Sequence, residues 1–186
     1  MRTLQSIYLI RHAKATGQEP DAELTDEGLR QAKNLAEMLA VHSISYIVSS
    51  PWKRALQTAL PLGRTAVQHI HTDERLQERV LSTRHLENWM EVLERTYTDE
   101  DWVEEGGESS RYAAARGMEV LKELWSRPEH CAAVVTHGNL LSLLLRHYDM
   151  SFGYEEWKLL TNPDVYVLER QQGDHESPSI RRIWTN

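Results

Sequence analysis

The chain has 186 residues, 40% of them hydrophobic, a net charge of −7 from 21 Lys and Arg against 28 Asp and Glu, and one cysteine. At ~150 residues per domain this predicts one domain with a real core, and the negative balance excludes classes that need a dominant positive field, sequence-independent nucleic-acid binders and polybasic membrane-surface proteins among them. Cys131 alone cannot form an intrachain disulfide, which points to a reducing interior.

Residues 1–10 lack the ~7–15-residue apolar core of a secretory signal, and no apolar run approaches the ~18 residues of a membrane span. A cytoplasmic protein with no membrane or nucleic-acid partner is expected, as a monomer or homodimer. The runs at 6–10, 46–49 and 131–135 are short, β-branched and apolar and read as strands buried on both faces. A helix is predicted from the cap Thr25, with Leu29, Ala32, Leu35, Ala36 and Leu39 facing inward. Ser50 with Pro51 at the first helical position predicts a second, its inward face Ala55, Thr58, Ala59 and Leu62, running to Gly63. Residues 83–95 read as a more polar helix carrying Leu86, Trp89, Met90 and Leu93, and the acidic stretch 99–108 as a mobile loop. Helices follow at 110–125, its inward face Ala114, Gly117, Met118, Leu121 and Leu124, and after His137, where the sequence is apolar nearly all round. Strands at 165–169 and 179–184, joined by a polar turn at Gly173 and Asp174, close the chain. Alternating strands and helices predict a three-layer α/β/α sandwich with a largely parallel sheet and helices on both faces.

Two strands run into a histidine followed by a small residue, Ile10-Arg11-His12-Ala13 and Val135-Thr136-His137-Gly138. In parallel sheets ligands collect beyond the carboxyl ends of strands, so both histidines belong to one rim, with Arg54 one turn into the helix after Ser49-Ser50-Pro51. Two histidines and two arginines suit a phosphoryl group, whose oxygens guanidinium forks bind bidentately. His69-Ile70-His71 offers two imidazoles on one face but no third ligand in a recognisable pattern, so no metal is expected.

These motifs resemble the histidine phosphatase superfamily, the phosphoglycerate mutase-like fold. Arg11-His12-Ala13 is similar to its Arg-His-Gly signature, Leu24-Thr25-Asp26-Glu27-Gly28-Leu29-Arg30-Gln31-Ala32 to its first-helix motif, and Ser49-Ser50-Pro51-Trp52-Lys53-Arg54 to its second arginine motif. Leu76-Gln77-Glu78-Arg79 resembles its acid-bearing segment, Gly107-Glu108-Ser109 a Gly-Glu-Ser signature, and Val135-Thr136-His137-Gly138-Asn139 its second histidine motif.

The resemblance implies a metal-independent phosphomonoesterase, without cofactor, acting through a phosphohistidine on a small phosphorylated metabolite. His12 is then the nucleophile, Arg11, Arg54 and a donating His137 hold the three equatorial oxygens, and Glu78 is the general acid and later base. Gly138 and Asn139 are expected to add backbone donors at a helix N-terminus. Gln18, Thr16 and Arg79 are secondary candidates for substrate contact, and Glu74 and Glu108 compete with Glu78 for the acid role. Residues 1–186 form one domain on this reading, with 79–109 as a substrate-facing cap. A mutase using the same phosphohistidine and a noncatalytic phospholigand-binding module are the alternatives. Two residues depart from the family pattern: Ala13 replaces the signature glycine, which strains the site if that position requires φ > 0, and Lys14 stands where many relatives carry an acid.

Overall fold

The apolar run at residues 6–10 lies inside a six-stranded sheet, flanked by a parallel neighbour on one side and an antiparallel one on the other. The structure, a computed structural model, describes residues 4–65, 69–171 and 176–184. In chain order the elements are β1 (Leu4–Arg11), α1 (Asp26–Leu39), β2 (Tyr46–Ser49), α2 (Lys53–Thr65), β3 (His71–Thr72), α3 (Trp89–Thr98), α4 (Ser110–Trp125), β4 (Cys131–Thr136), α5 (Gly138–Tyr148), α6 (Tyr154–Lys158), β5 (Asp164–Gln171) and β6 (Ser179–Arg182). The strand order is β3-β2-β4-β1-β5-β6, parallel from β3 to β1 and antiparallel at β5 and β6. The turn read at Gly173 and Asp174 lies outside the described residues. Among the described residues no helix is long and apolar enough to cross a membrane.

Alternation along the strands sorts the core into two layers, as a pleated sheet requires. Ile7, Leu9, Ala132 and Val134 face the layer under α4 and α5, whereas Tyr8, Ile10, Ala133 and Val135 face α1 and α2. The predicted helices on both faces are therefore present. Helix α5 is buried from Gly138 through Leu145, which explains why its sequence is apolar nearly all round.

Several local readings are displaced, each for a tertiary reason. Thr25 caps α1 by accepting from the Gly28 amide, but Leu29 points outward at 43% exposure, and the inward position of the first turn belongs to Gly28. Helix α2 begins at Lys53 rather than Pro51, because the Lys53 amide donates to Pro20 O and the Ser50 hydroxyl takes the Trp52 amide. Helix α3 begins at Trp89, not near residue 83. Residues 82–83 are instead held by the Glu105 carbonyl, which accepts from Ser82 Oγ and from the amide and hydroxyl of Thr83. The inward face of α3 is Val92, Leu93, Thr96 and Tyr97, leaving Trp89 and Met90 exposed. On α4 the buried face includes Ala113 and Val120, with Ala114 and Met118 at its edge. The acidic stretch 99–108 is not a free loop: Asp101 and Glu100 pair with Arg111, Glu100 also with Arg146, and Glu108 with Arg116.

Gly28 is where a side chain is least tolerable in α1. A Cβ there would sit 2.0 Å from Lys14 O, the carbonyl that also accepts from the Thr25 amide. Alanine is better than glycine inside a helix by about 1 kcal/mol, yet the overlap with backbone should override that gain. Gly28→Ala is expected to lower stability by about 1–3 kcal/mol, read as the shift in urea midpoint at unchanged slope.

Candidate active site

Strand register brings the two histidines together. Arg11 pairs with Thr136 at the ends of β1 and β4, the His12 amide donates to Thr136 O at 2.9 Å, and the two imidazole centroids lie 5.1 Å apart. Ser49, at the end of β2, pairs with Val135, so the next turn and α2 carry Arg54 to the same rim. Arg11, His12, Arg54 and His137 thus converge at the carboxyl ends of three adjacent parallel strands.

The protonation pattern of His12 follows from its partners. Arg54 Nε can only donate, and it lies 3.0 Å from His12 Nε2, so that nitrogen holds the lone pair. Nδ1 therefore carries the proton and gives it to the Ala13 carbonyl at 2.7 Å. Burial pushes the His12 pKa down to about 3 against the opposing effect of that carbonyl, and Arg54 and Arg11 lower it further. Ala13 is not among the described non-glycine residues with positive φ, so its methyl brings no backbone strain. It packs with Leu24 and Ala32, and its amide donates to Thr58 Oγ1.

His137 is also neutral, held well below its ordinary value by burial and then by His12 and the surrounding arginines. Its Nε2 lies 2.8 Å from Ser50 Oγ, which already accepts from the Trp52 amide. His137 Nδ1 is buried with no partner, and in the tautomer in which Ser50 donates to Nε2 it carries the proton as an open donor. Trp52 packs edge-on to His137 at 4.9 Å and lies 4.7 Å below the Arg54 guanidinium.

Neither guanidinium, the buried one of Arg54 or the partly buried one of Arg11, is paired with a carboxylate. Arg54 Nη1 donates to Glu19 O at 2.8 Å, and Arg11 Nη1 to Leu160 O and Thr161 O. Arg54 Nη2 and Arg11 Nε have no partner. Burial lowers both pKa values, opposed by the nearby negative charge of Glu78. The Arg11 guanidinium lies tight against residue 138, where a Cβ would come within 2.9 Å of its Cζ and Nε and oblige it to shift. Three unpartnered nitrogen donors, Arg11 Nε, Arg54 Nη2 and His137 Nδ1, therefore belong to residues gathered about His12, an arrangement that an oxyanion would complete.

Glu78 occupies the N-terminus of α5. Its Oε2 accepts from the Asn139 amide at 3.0 Å, and its Oε1 from the amides of Leu140 and Arg79 at 2.9 Å each. This corrects the expectation that the Asn139 amide is open to phosphate: the carboxylate has taken it. A closed chain steadies the same turn, from Asn139 Nδ2 to Tyr97 Oη, from Tyr97 to Ser142 Oγ, and from Ser142 back to Asn139 O. Neither competitor for the acid role is free. Both oxygens of Glu108 are held by Arg116, which outweighs burial and keeps that carboxyl below its ordinary range, and Glu74 is engaged with Gln77 at the surface.

A cavity of about 570 Å³ meets this rim at Arg11 and is lined also by Glu78, Gly138, Asn139, Gln18 and the segment after Glu78; His12, Arg54 and His137 lie outside its lining. Arg79 lines it, but its guanidinium is consumed by Glu108 O, Thr96 Oγ1 and Ser110 Oγ, so its work is to hold the loop. Thr16 does not reach the cavity: its amide and hydroxyl both donate to Glu23 O. Lys14 turns to Glu27 at the surface. His71 stacks on Tyr46 with His69 edge-on to it, and among the described residues no group of three or more His, Cys, Asp or Glu is placed to hold a metal.

Sequence reasoning missed the second layer of the site. The segment before β5 holds Arg11 through the Leu160 and Thr161 carbonyls and His12 through Asn162 Nδ2, which donates to His12 O at 2.9 Å. Asp164 fixes that segment by accepting from the Thr161 amide and from Arg182 at 2.9 and 2.6 Å. Arg116 holds the carbonyls of Arg75 and Gln77 just ahead of Glu78. Backbone acceptors carry no side-chain signature. Only the unusual Asn162-Pro163-Asp164 run marks the place.

Burial of neutral imidazoles makes stability depend on pH. The folded pKa of His12 lies below its unfolded value of ~6.5, so the unfolded chain binds the proton more readily. Stability is fully present above about pH 6.5 and falls as pH drops toward the folded value near 3. Between pH 6.5 and 5 His12 should remove up to about 2 kcal/mol. Denaturant unfolding at both pH values should show the loss in the parent and a smaller one in His12→Asn.

Residues 7–182 match the histidine phosphatase superfamily (branch 1). A glucosyl-3-phosphoglycerate phosphatase of Mycolicibacterium vanbaalenii is 33% identical over 144 residues, 67% of this chain and 62% of that protein, so the chain spans less than two thirds of that relative's length. A probable phosphoglycerate mutase GpmB of Proteus mirabilis is 31% identical over 96% of this chain and 89% of its own. The solved native structure of a mycobacterial glucosyl-3-phosphoglycerate phosphatase superposes with a TM-score of 0.75 at 26% identity, covering 96% of this chain and 97% of the other. On the strength of the family match across nearly its whole length, and of the phosphoglycerate mutase-like architecture it shares, the chain belongs to the histidine phosphatase superfamily.

Proposed function

We propose that this protein is a metal-independent phosphomonoesterase that hydrolyses a small phosphorylated metabolite through a phosphohistidine intermediate. The observation that carries the reading is His12 Nε2, an unprotonated nitrogen with its tautomer set by the Ala13 carbonyl, among three donors that lack acceptors. An arriving phosphoryl oxygen takes the Arg54 Nε–H away from Nε2 and frees the lone pair. Nε2 then forms a bond to phosphorus as the ester P–O bond breaks in line, while Arg11, Arg54 and His137 Nδ1–H hold the equatorial oxygens. The two guanidiniums supply the charge neutralisation that other phosphotransferases draw from a metal.

Glu78, protonated on Oε2 by a monoanionic phosphate ester or by solvent as the substrate binds, delivers that proton to the leaving oxygen and later takes one from water as water attacks phosphorus and the P–N bond breaks, releasing inorganic phosphate. A carboxylate has about four acceptor sites. Oε1 uses two of them on backbone amides and Oε2 one, so Oε2 is the oxygen with a position left for this proton.

The mutase reading rests on the Proteus mirabilis relative, which aligns over 96% of this chain. Hydrolysis is favoured because the relatives named glucosyl-3-phosphoglycerate phosphatase include one at 33% identity. A noncatalytic module would have no need of the intact set Arg11, His12, Arg54, Glu78 and His137. The reading includes a cytoplasmic location, segment 79–109 as the cap over the substrate, a phosphorylated small molecule as the partner in place of nucleic acid or membrane, and a monomer or homodimer.

Phosphate release from an aryl phosphate in excess EDTA tests the reading. The parent should turn over undiminished, and His12→Ala should lose about a thousandfold or more. A parent stopped by EDTA, or a His12→Ala variant that keeps its rate, would sink it. Products from a phosphoglycerate separate the two enzymes, inorganic phosphate marking hydrolysis and an isomer marking transfer. Gly138→Ala, which drives a methyl into the Arg11 guanidinium, should reduce kcat/KM by about tenfold or more with the fold retained, read beside its circular dichroism spectrum.

A further inference from the structure

The far wall of the cavity is made for a ring. Beyond Arg11 and Glu78 the lining sets Leu81, Leu86 and Leu93 among Ser82, Arg84 and His85, and includes Trp89 and Trp157. Trp89, the first residue of α3, is 47% exposed, a large apolar surface left open beside a cavity that Arg11 and Glu78 also line. It meets Trp157 edge to face at 6.3 Å and 87°, and Trp157 is fixed from behind by Tyr154, stacked at 5.6 Å and 16°. The aromatic corner is therefore pre-formed and held by α6.

Size and charge agree. About 570 Å³ falls in the ~300–1,000 Å³ range of pockets that enclose drug-sized ligands, several times what a phosphoryl group alone needs. Of the basic side chains in this half, Arg84 is paired at the surface with Glu105 at 2.5 Å, and His85 lies beside it. The two indoles and three leucines are the larger part of what this end offers.

We propose, resting on the phosphatase reading above, that the substrate is a phosphate monoester bearing a ring, and that Trp89 and Trp157 are the specificity residues that seat it. Ring faces and edges pack on indoles with a geometric preference that short acyclic chains cannot satisfy. Three-carbon phosphates would leave this wall wet.

Nonhydrolysable phosphonates test the proposal independently of turnover. By calorimetry the parent should bind 2-naphthylmethylphosphonate at least about tenfold more tightly than methylphosphonate. That preference ratio should fall by about tenfold in Trp89→Ala and return in Trp89→Phe. Trp157→Leu, checked by circular dichroism, should lower the same ratio from the other side of that corner. Equal affinity for the two phosphonates, failure to bind either, or a Trp89→Ala ratio equal to the parent's would overturn the proposal. The phosphatase reading fails separately, if the parent releases no phosphate from any ester while the phosphonate preference is present. It survives without the ring proposal if glycerol 3-phosphate is hydrolysed with a kcat/KM equal to that of naphthyl phosphate.

Discussion

Two guanidinium groups without a carboxylate, Arg54 fully buried and Arg11 partly so, are the constraint around which this site is arranged. Removing a cation from water costs several kcal/mol even after relaxation, and here the compensation comes from backbone carbonyls of Glu19, Leu160 and Thr161 and from an imidazole nitrogen. Carbonyls stabilise the cations without neutralising them, so the site keeps a positive field that a carboxylate partner would have cancelled. The architecture follows from that need. Arg11 lies tight against Gly138, and the segment whose carbonyls it uses is tied down by the Asp164–Arg182 pair at the antiparallel edge of the sheet. The two strands that depart from the parallel pattern are thus part of what holds Arg11 in place.

The same field acts on the histidines. Burial and the neighbouring arginines hold both imidazoles neutral, which is the state a nucleophilic nitrogen must have and the state in which His137 can donate through one nitrogen while accepting through the other. In the resting geometry Arg54 Nε–H covers the lone pair of His12. The nucleophile is thereby satisfied when no anion is present, and the ligand that needs it is the one able to remove the cover.

What could be read from the sequence was local, and what could not was long-range. A strand ending in Arg11-His12 and another in Thr136-His137 are contiguous signals, and once strands of a parallel sheet are recognised their carboxyl ends must share a rim. Thr25 as a cap and the all-round burial of α5 were legible for the same reason. Leu29 misled because Lys14 O, distant in sequence from the first turn of α1, admits only Gly28 on the inward side. The 99–108 stretch has the composition of a loop, yet its carboxylates meet Arg111, Arg116 and Arg146, arginines of α4 and α5 that composition cannot assign to them. The carbonyls that hold Arg11 left no side-chain trace, and α6 is too short for periodicity to announce it.

Glu78 explains how chemistry and specificity are kept apart. A helix N-terminus is an anion site, and at α5 it is filled by the chain's own carboxylate, so phosphoryl binding falls to side chains from β1, α2 and the β4–α5 turn. The Glu78 carboxylate is fixed by the amides of Asn139 and Leu140 in α5 and by that of Arg79. Arg11, His12, Arg54 and His137 rest on the ends of β1, β2 and β4, while much of the cavity wall comes from the segment after Glu78 and from α6. The two parts meet at Glu78 and Asn139, whose positions are set by backbone hydrogen bonds and by the Tyr97–Ser142 chain. Side chains of the wall, Trp89 above all, can change without disturbing the groups that hold phosphate, which is how one rim serves different substrates across a family.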